Sequence, residues 1–279
     1  MYLLDLPILF GVLIFVGGAI FLIFVPYVVL RALFSKRLGG DTETVAVNVM
    51  FRIGALHGLI LALVFADVLI QFNSMRNNVA QEAAAVGDLL NNLKNYGPEE
   101  TAQITDSVHA YLNSVIFEEW PALSDQVLQR QTWLQWELFY LSILDLEPTS
   151  ARDESLRERL IRDAEEIANS REQRLFTVAQ GLSTPFWVIA IVGFFFVTIP
   201  FFVYKPKLAN LFLLTIFGAY NGMIIYFILA LSSPFMGPVS LEPTPFETIE
   251  ELRLALIEFA QWYYPMARCS SRLYDACTG

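Results

Sequence analysis

The chain has 279 residues, of which 55% are hydrophobic and only 16% charged. Its apolar residues are gathered in long blocks instead of spread at helical or strand period, which excludes a disordered chain and a purely soluble globule. The net charge of −10 argues against nucleic acid as a partner, because replacing phosphate counterions needs Lys and Arg, and no polybasic patch for anionic membrane surfaces is present.

Four apolar blocks are long enough to cross a hydrocarbon core of about 30 Å at about 1.5 Å per helical residue. They lie near Leu6–Leu30, Ile53–Phe72, Phe186–Tyr204 and Leu208–Leu231. The first is too long for a signal-peptide core and is followed by Arg31, Lys36 and Arg37, not by a small-residue cleavage site, so it reads as a retained anchor. The expectation is an all-α protein with four transmembrane helices and a large helical insertion between the second and third. Residues 1–72 carry the first two spans, 73–185 the extramembrane helical segment, 186–232 the third and fourth spans, and 233–279 a Pro-rich return and a C-terminal amphipathic helix.

The second span holds the most informative residues. Gly54, Gly58, Ala62 and Ala66 recur every four residues and form a ridge of small side chains that lets another helix approach closely. Beside it His57, Ile60, Val64, Asp67, Gln71 and Ser74 follow at steps of three and four, so that a carboxylate and other polar groups share one helix face. Hydrocarbon penalises such groups unless they meet protein or water. Two readings stand for Asp67: a structural carboxylate hydrogen-bonded to Asn221 or to backbone, or part of an aqueous path with Ile60, Val64 and Gln71 as its lining. His57, one or two turns from Arg52, reads more simply as a packing or interfacial histidine. In the fourth span Gly218 and Gly222 make a second pair of small residues, whose ordinary meaning is helix packing.

Residues 73–185 are rich in Ala, Leu, Glu, Gln and Arg and lack strand alternation, which predicts helices. Breaks at Gly97-Pro98, Pro121 and Glu147-Pro148-Thr149 divide them near 73–95, 98–119, 122–145 and 150–182. No linker is apparent, so the chain reads as one membrane-embedded unit. This segment carries eighteen acidic and nine basic residues, whereas the first and third connections carry Arg31, Lys36, Arg37, Arg52, Lys205 and Lys207. The positive-inside rule then makes those two connections cytoplasmic and puts residues 73–185 and both termini outside the cytoplasm, as in a multi-pass plasma membrane or bacterial inner membrane protein.

Enzyme chemistry finds little support. The sequence has no Gly-rich phosphate loop, no nucleophile elbow and only two His. Asp106 and His109 share the i, i+3 spacing of di-metal carboxylate bundles, but a single copy makes no such site, so neither a metal nor another cofactor is expected. Glu118-Glu119 and Glu165-Glu166 read as solvated or salt-bridged faces. In the tail, Thr244-Pro245-Phe246-Glu247 starts a helix whose apolar stripe is Ile249, Leu252, Leu256, Phe259 and Tyr263. Cys269 and Cys277, the two cysteines of the chain, are expected to be bridged if the tail is exported, or to be two free thiols if it is not.

Two spans, a helical insertion, two more spans and a Pro-rich return form a layout that resembles the bestrophin-like membrane family. The resembling residues are Gly58-Leu59-Ile60-Leu61-Ala62-Leu63-Val64-Phe65, Arg76 with Glu82-Ala83, and Tyr111 followed by Glu119-Trp120-Pro121. Pro185-Phe186-Trp187 and Pro234-Phe235 with Gly237 continue it, so that the likeness covers roughly residues 5–245. The resemblance implies a homopentameric channel in which the second span lines a narrow apolar neck and the insertion forms a vestibule. The family's insertion and termini are cytoplasmic, opposite to the polarity that the charge bias gives here, and the family's aromatic neck has no clear counterpart beyond Phe65 and Phe72. Two functions compete: a homo-oligomeric ion channel in membrane lipid with weak cation preference, and a non-conducting accessory subunit of a larger membrane complex.

Overall fold

The computed structural model describes residues 6–34, 40–125, 127, 129–180, 182, 184–252 and 255. Cys269 and Cys277, and the stripe residues Leu256, Phe259 and Tyr263, lie outside them. The regular elements among these residues are all helical: α1 (Ile8–Phe34), α2 (Gly40–Tyr96), α3 (Ala102–Ser114), α4 (Trp120–Ser124), α5 (Arg130–Leu144), α6 (Ala151–Gln180), α7 (Thr184–Thr198), α8 (Leu208–Leu231) and α9 (244–252). Four of them, α1, α2, α8 and α7 with its 3₁₀ extension, are long and apolar enough to cross a membrane. The chain forms two compact units, and not the single unit that the absence of a linker suggested. One comprises Met1–Arg76 and Phe176–Leu241, the other Asn77–Leu175 and Glu242–Gly279.

In the first unit α1 packs along α8 where α8 carries its two glycines. A Cβ on Gly222 would lie 2.6 Å from the carbonyl oxygen of Phe15, and one on Gly218 would lie 2.8 Å from Ile23 Cδ1, so backbone meets backbone there. Ala19, Ile23 and Tyr27 of α1 are buried with Phe194 and Leu214. The third span is not one α-helix to Tyr204. Pro200 has no N–H to give the carbonyl four residues back, so α7 ends at Thr198 and a 3₁₀ turn, Ile199–Val203, completes the crossing. The carbonyls left open at that end are taken by α1. Arg31 Nη1 donates to Phe202, Val203 and Tyr204 oxygens at 2.9, 3.2 and 2.6 Å, and the Tyr27 hydroxyl donates to Tyr204 oxygen at 3.0 Å.

The second unit has an apolar interior of the kind soluble helical domains use. Val86, Leu89 and Leu93 of α2, Val108, Tyr111 and Leu112 of α3, Phe139 and Ile143 of α5, and Leu160, Ala164 and Ile167 of α6 are all fully buried at helical spacing. Pro121, expected to end a helix, does not. The chain widens instead into a single π turn, Val115–Glu119, in which the Trp120 N–H reaches the Val115 carbonyl five residues back. Pro121 then sits in the first turn of α4, where its missing N–H is harmless. The break comes later, between Ser124 and Arg130.

Candidate functional site

In α2 the apolar residues at three-and-four spacing point one way and the polar stripe another. Leu61, Val64 and Val68 are buried with Ala190 and Ile228 of the same unit. Val64, expected from its spacing among the lining residues, is 5% exposed and packs within the protomer. Ile60, Asp67 and Gln71 remain on the exposed face, and Gln71 Nε2 donates to Asp67 Oδ2 at 2.7 Å. The expected Asp67–Asn221 pair is not formed: Asn221 is buried in α8 and donates to the Phe217 carbonyl at 2.9 Å.

The ridge of small residues is not used as one surface within the protomer. Gly54 faces Val197, whose Cγ1 would be 3.8 Å from an added Cβ, whereas Gly58 has open space before it and Ala62 and Ala66 are exposed. His57 is buried against α7. Gly193 lacks the Cβ that would collide with the imidazole, and neither ring nitrogen of His57 has a partner among the described residues. The span thus presents Asp67, Gln71 and Ser74 and a shallow row of small residues outward.

The second unit contains a constellation that the sequence alone did not bring together. Glu82 of α2, Glu119 of the π turn, and Arg171 and Arg174 of α6 are four buried charges that cancel in sum. Arg174 Nε and Nη2 donate to the two oxygens of Glu82 at 2.9 Å each, and Nη2 lies 2.8 Å from Glu119 Oε1. Arg171 donates to Glu119 through Nε at 3.0 Å and also through Nη2. The guanidinium groups stack over Trp133 and Trp120, at 5.5 and 5.2 Å from the ring centroids. Tyr111 closes the network by donating to Glu82 Oε1 at 2.9 Å.

Burial pushes the Tyr111 phenol well above its usual range, and the Glu82 carboxylate adds to the effect. Burial works against the charged form of Arg174 too, but Glu82 and Glu119 overcome it and raise its pKa. The signals for this network were present in Arg171 and Arg174, one turn apart on a polar helix, and in the Glu82 and Glu119 motifs; only the fold could bring the three segments together. Of the expected acidic pairs, Glu119 is the buried, salt-bridged member, while Glu118 is exposed and accepts from the Ser114 hydroxyl at 2.9 Å. Asp106 is exposed, and its helix neighbour His109 is buried with Nδ1 3.1 Å from Glu250 Oε2 of α9. Among the described residues no group of three or more His, Cys, Asp or Glu could hold a metal ion.

A helical membrane protein whose second helical unit holds a cluster of buried charges is the class that this geometry defines. The family model of the Bestrophin-like domain matches residues 17–246, and the chain belongs to that family. Solved structures point to the same fold. Two point-mutant forms of a bacterial bestrophin homologue from Klebsiella pneumoniae superpose with a TM-score of 0.61, at 14% and 13% identity. The similarity covers 86% of this chain in both cases and 96% and 98% of theirs. No curated protein matches the chain.

Proposed function

We propose that the protein is the subunit of a homo-oligomeric ion channel in a bacterial-type inner or plasma membrane, with weak cation preference. The observation that carries this reading is the exposure of Asp67 and Gln71 in a span. A carboxylate that its own protomer leaves uncovered at membrane depth needs water or a neighbouring subunit. Membership of the bestrophin-like family supports assembly of several copies around an axis, for which a pentamer is our reading. In such an assembly the lining is formed by Ile60, Asp67 and Gln71, with Ile60 as the apolar constriction and Gln71 as a polar mouth. Gly58, Ala62 and Ala66, left open by the protomer, are available for contact between subunits. A ring of Asp67 carboxylates at a poorly screened constriction concentrates cations and repels anions.

The charge bias of the loops supports a topology with residues 73–185 and both termini outside the cytoplasm. A reporter active only in the cytoplasm is then expected to work when fused after Lys36 and to be silent after Pro148. The reverse result gives the family's other polarity.

Conduction is tested with purified protein in planar bilayers under a salt gradient. Asp67→Asn is expected to shift the reversal potential toward the anion equilibrium potential while the oligomer stays intact. Absence of any conductance from a symmetric oligomer, or an unchanged reversal potential in the variant, overturns the reading in favour of an accessory subunit with a structural Asp67.

A further inference from the structure

We propose that the surface groove between α1 and α7 binds one phospholipid, with an acyl chain lying along α1 and its phosphate on the guanidinium of Arg31. The inference depends on these helices crossing the bilayer and not on whether the protein conducts.

The groove consists of two adjoining hollows of about 480 and 470 Å³ that share the side chain of Leu22. One runs from Ile14 and Trp187 to Leu22 with α8 as its floor; the other continues to Leu30 and Ile199. The lining is hydrocarbon and aromatic throughout, and at Gly18 the wall is bare backbone with open space before it. From Leu22 to Leu30 the groove extends about 12 Å along the helix, close to the ~15 Å depth of one leaflet. A chain entering at the Leu30 end therefore fills the second hollow and ends in the first, near the bilayer midplane. A chain lying in these hollows gains dispersion contacts with every lining side chain.

Charge supplies the specificity. Arg31 follows Leu30 directly, and its position is fixed by the three carbonyls that Nη1 engages. Its Nε and Nη2 have no partner among the described residues. Lys205 and Lys207 follow the same carbonyl cluster in sequence. The guanidinium of Arg31, one residue past the Leu30 end of the groove, matches an anionic phospholipid headgroup, through one built site and not a polybasic surface.

The test is native mass spectrometry of the full chain released from vesicles of equal dioleoyl phosphatidylglycerol and dioleoyl phosphatidylcholine. Wild type is expected to retain one lipid per chain, with the glycerol headgroup favoured about fivefold. Arg31→Gln is expected to erase that preference. Gly18→Trp fills the first hollow, where the chain ends, without touching the carbonyl cluster, and is expected to lower lipid retention while its thermal unfolding in detergent stays unchanged. If Arg31→Gln fails to fold, the Gly18→Trp comparison decides alone. Equal retention of the two lipids by wild type, or full retention by Gly18→Trp, overturns the proposal. So does displacement of the bound lipid by inorganic phosphate, which would mean an anion site without a chain.

Discussion

Arg174 meets Glu82 in a two-pronged ion pair, Nε to Oε2 and Nη2 to Oε1 at 2.9 Å each, with neither side chain exposed. Removing one partner of such a pair leaves an uncompensated charge in the interior. Arg174→Met should destabilise the second unit by about 3–5 kcal/mol, since Glu82 and part of Glu119 lose their counter-charge. Glu82→Gln combined with Arg174→Met should cost less than the sum of the two single changes. Denaturant unfolding followed by tryptophan fluorescence measures both; additive costs would mean that the residues do not act as a pair.

Tyr111 gives the network a pH signature. Its folded pKa lies well above the unfolded value near 10, so its contribution is fully present below about pH 10 and is lost as pH rises beyond that. The wild-type Tm should therefore fall more steeply above pH 10 than that of Tyr111→Phe. At neutral pH the variant should be less stable by about 1–3 kcal/mol, the worth of a buried hydrogen bond to a charged group. A parallel alkaline limb in the two proteins would remove Tyr111 as its source.

The two glycine rows should respond differently to added side chains. Gly222→Ala forces a methyl group against the Phe15 carbonyl, and overpacking of this kind costs about 1–3 kcal/mol, so its Tm in detergent should fall. A Cβ added at Gly58 has nothing within 4 Å among the described residues of its own protomer, so Gly58→Leu projects from an open position. It should leave helix content intact and shift the oligomer toward smaller species, as read by native mass. An unaltered oligomer would move the subunit contact away from the ridge of Gly58, Ala62 and Ala66.

For the tail, which lies beyond the described residues, thiol labelling without reductant should modify neither Cys269 nor Cys277, whose short intervening loop is readily closed by a disulfide. Complete labelling of both would assign them as free thiols and would remove one support for an exported C-terminus.

The spans were legible because hydrocarbon thickness imposes a length that composition reveals directly; the bounds of α8, Leu208–Leu231, match those of its apolar block. Proline was the less reliable signal, since Pro121 and Pro200 both removed an N–H yet the chain answered once with a π turn and once with a 3₁₀ turn. Which face of α2 turns inward could not be read from periodicity alone. Val64 and Asp67 are only three residues apart, and the choice between them was made by Ala190 and Ile228, distant in sequence. The buried charges escaped for the same reason: Glu82, Glu119 and Arg174 lie on three separate helical segments, and each alone has the composition of a solvated surface.

The π turn at Val115–Glu119 bears on how this segment tolerates changes of length. A π turn is an α-helix that has absorbed one surplus residue without rotating the turns beyond it. Excising Phe117, whose side chain is 72% exposed, would let Trp120 bond its Val115 acceptor at ordinary α spacing. Ser114 and Glu119 would keep their faces. The same excision within α3 would turn every later side chain by about 100° and swing Glu119 away from both arginines. A chain one residue shorter in this stretch is accordingly compatible with an undisturbed charge network, whereas one shortened a turn earlier is not.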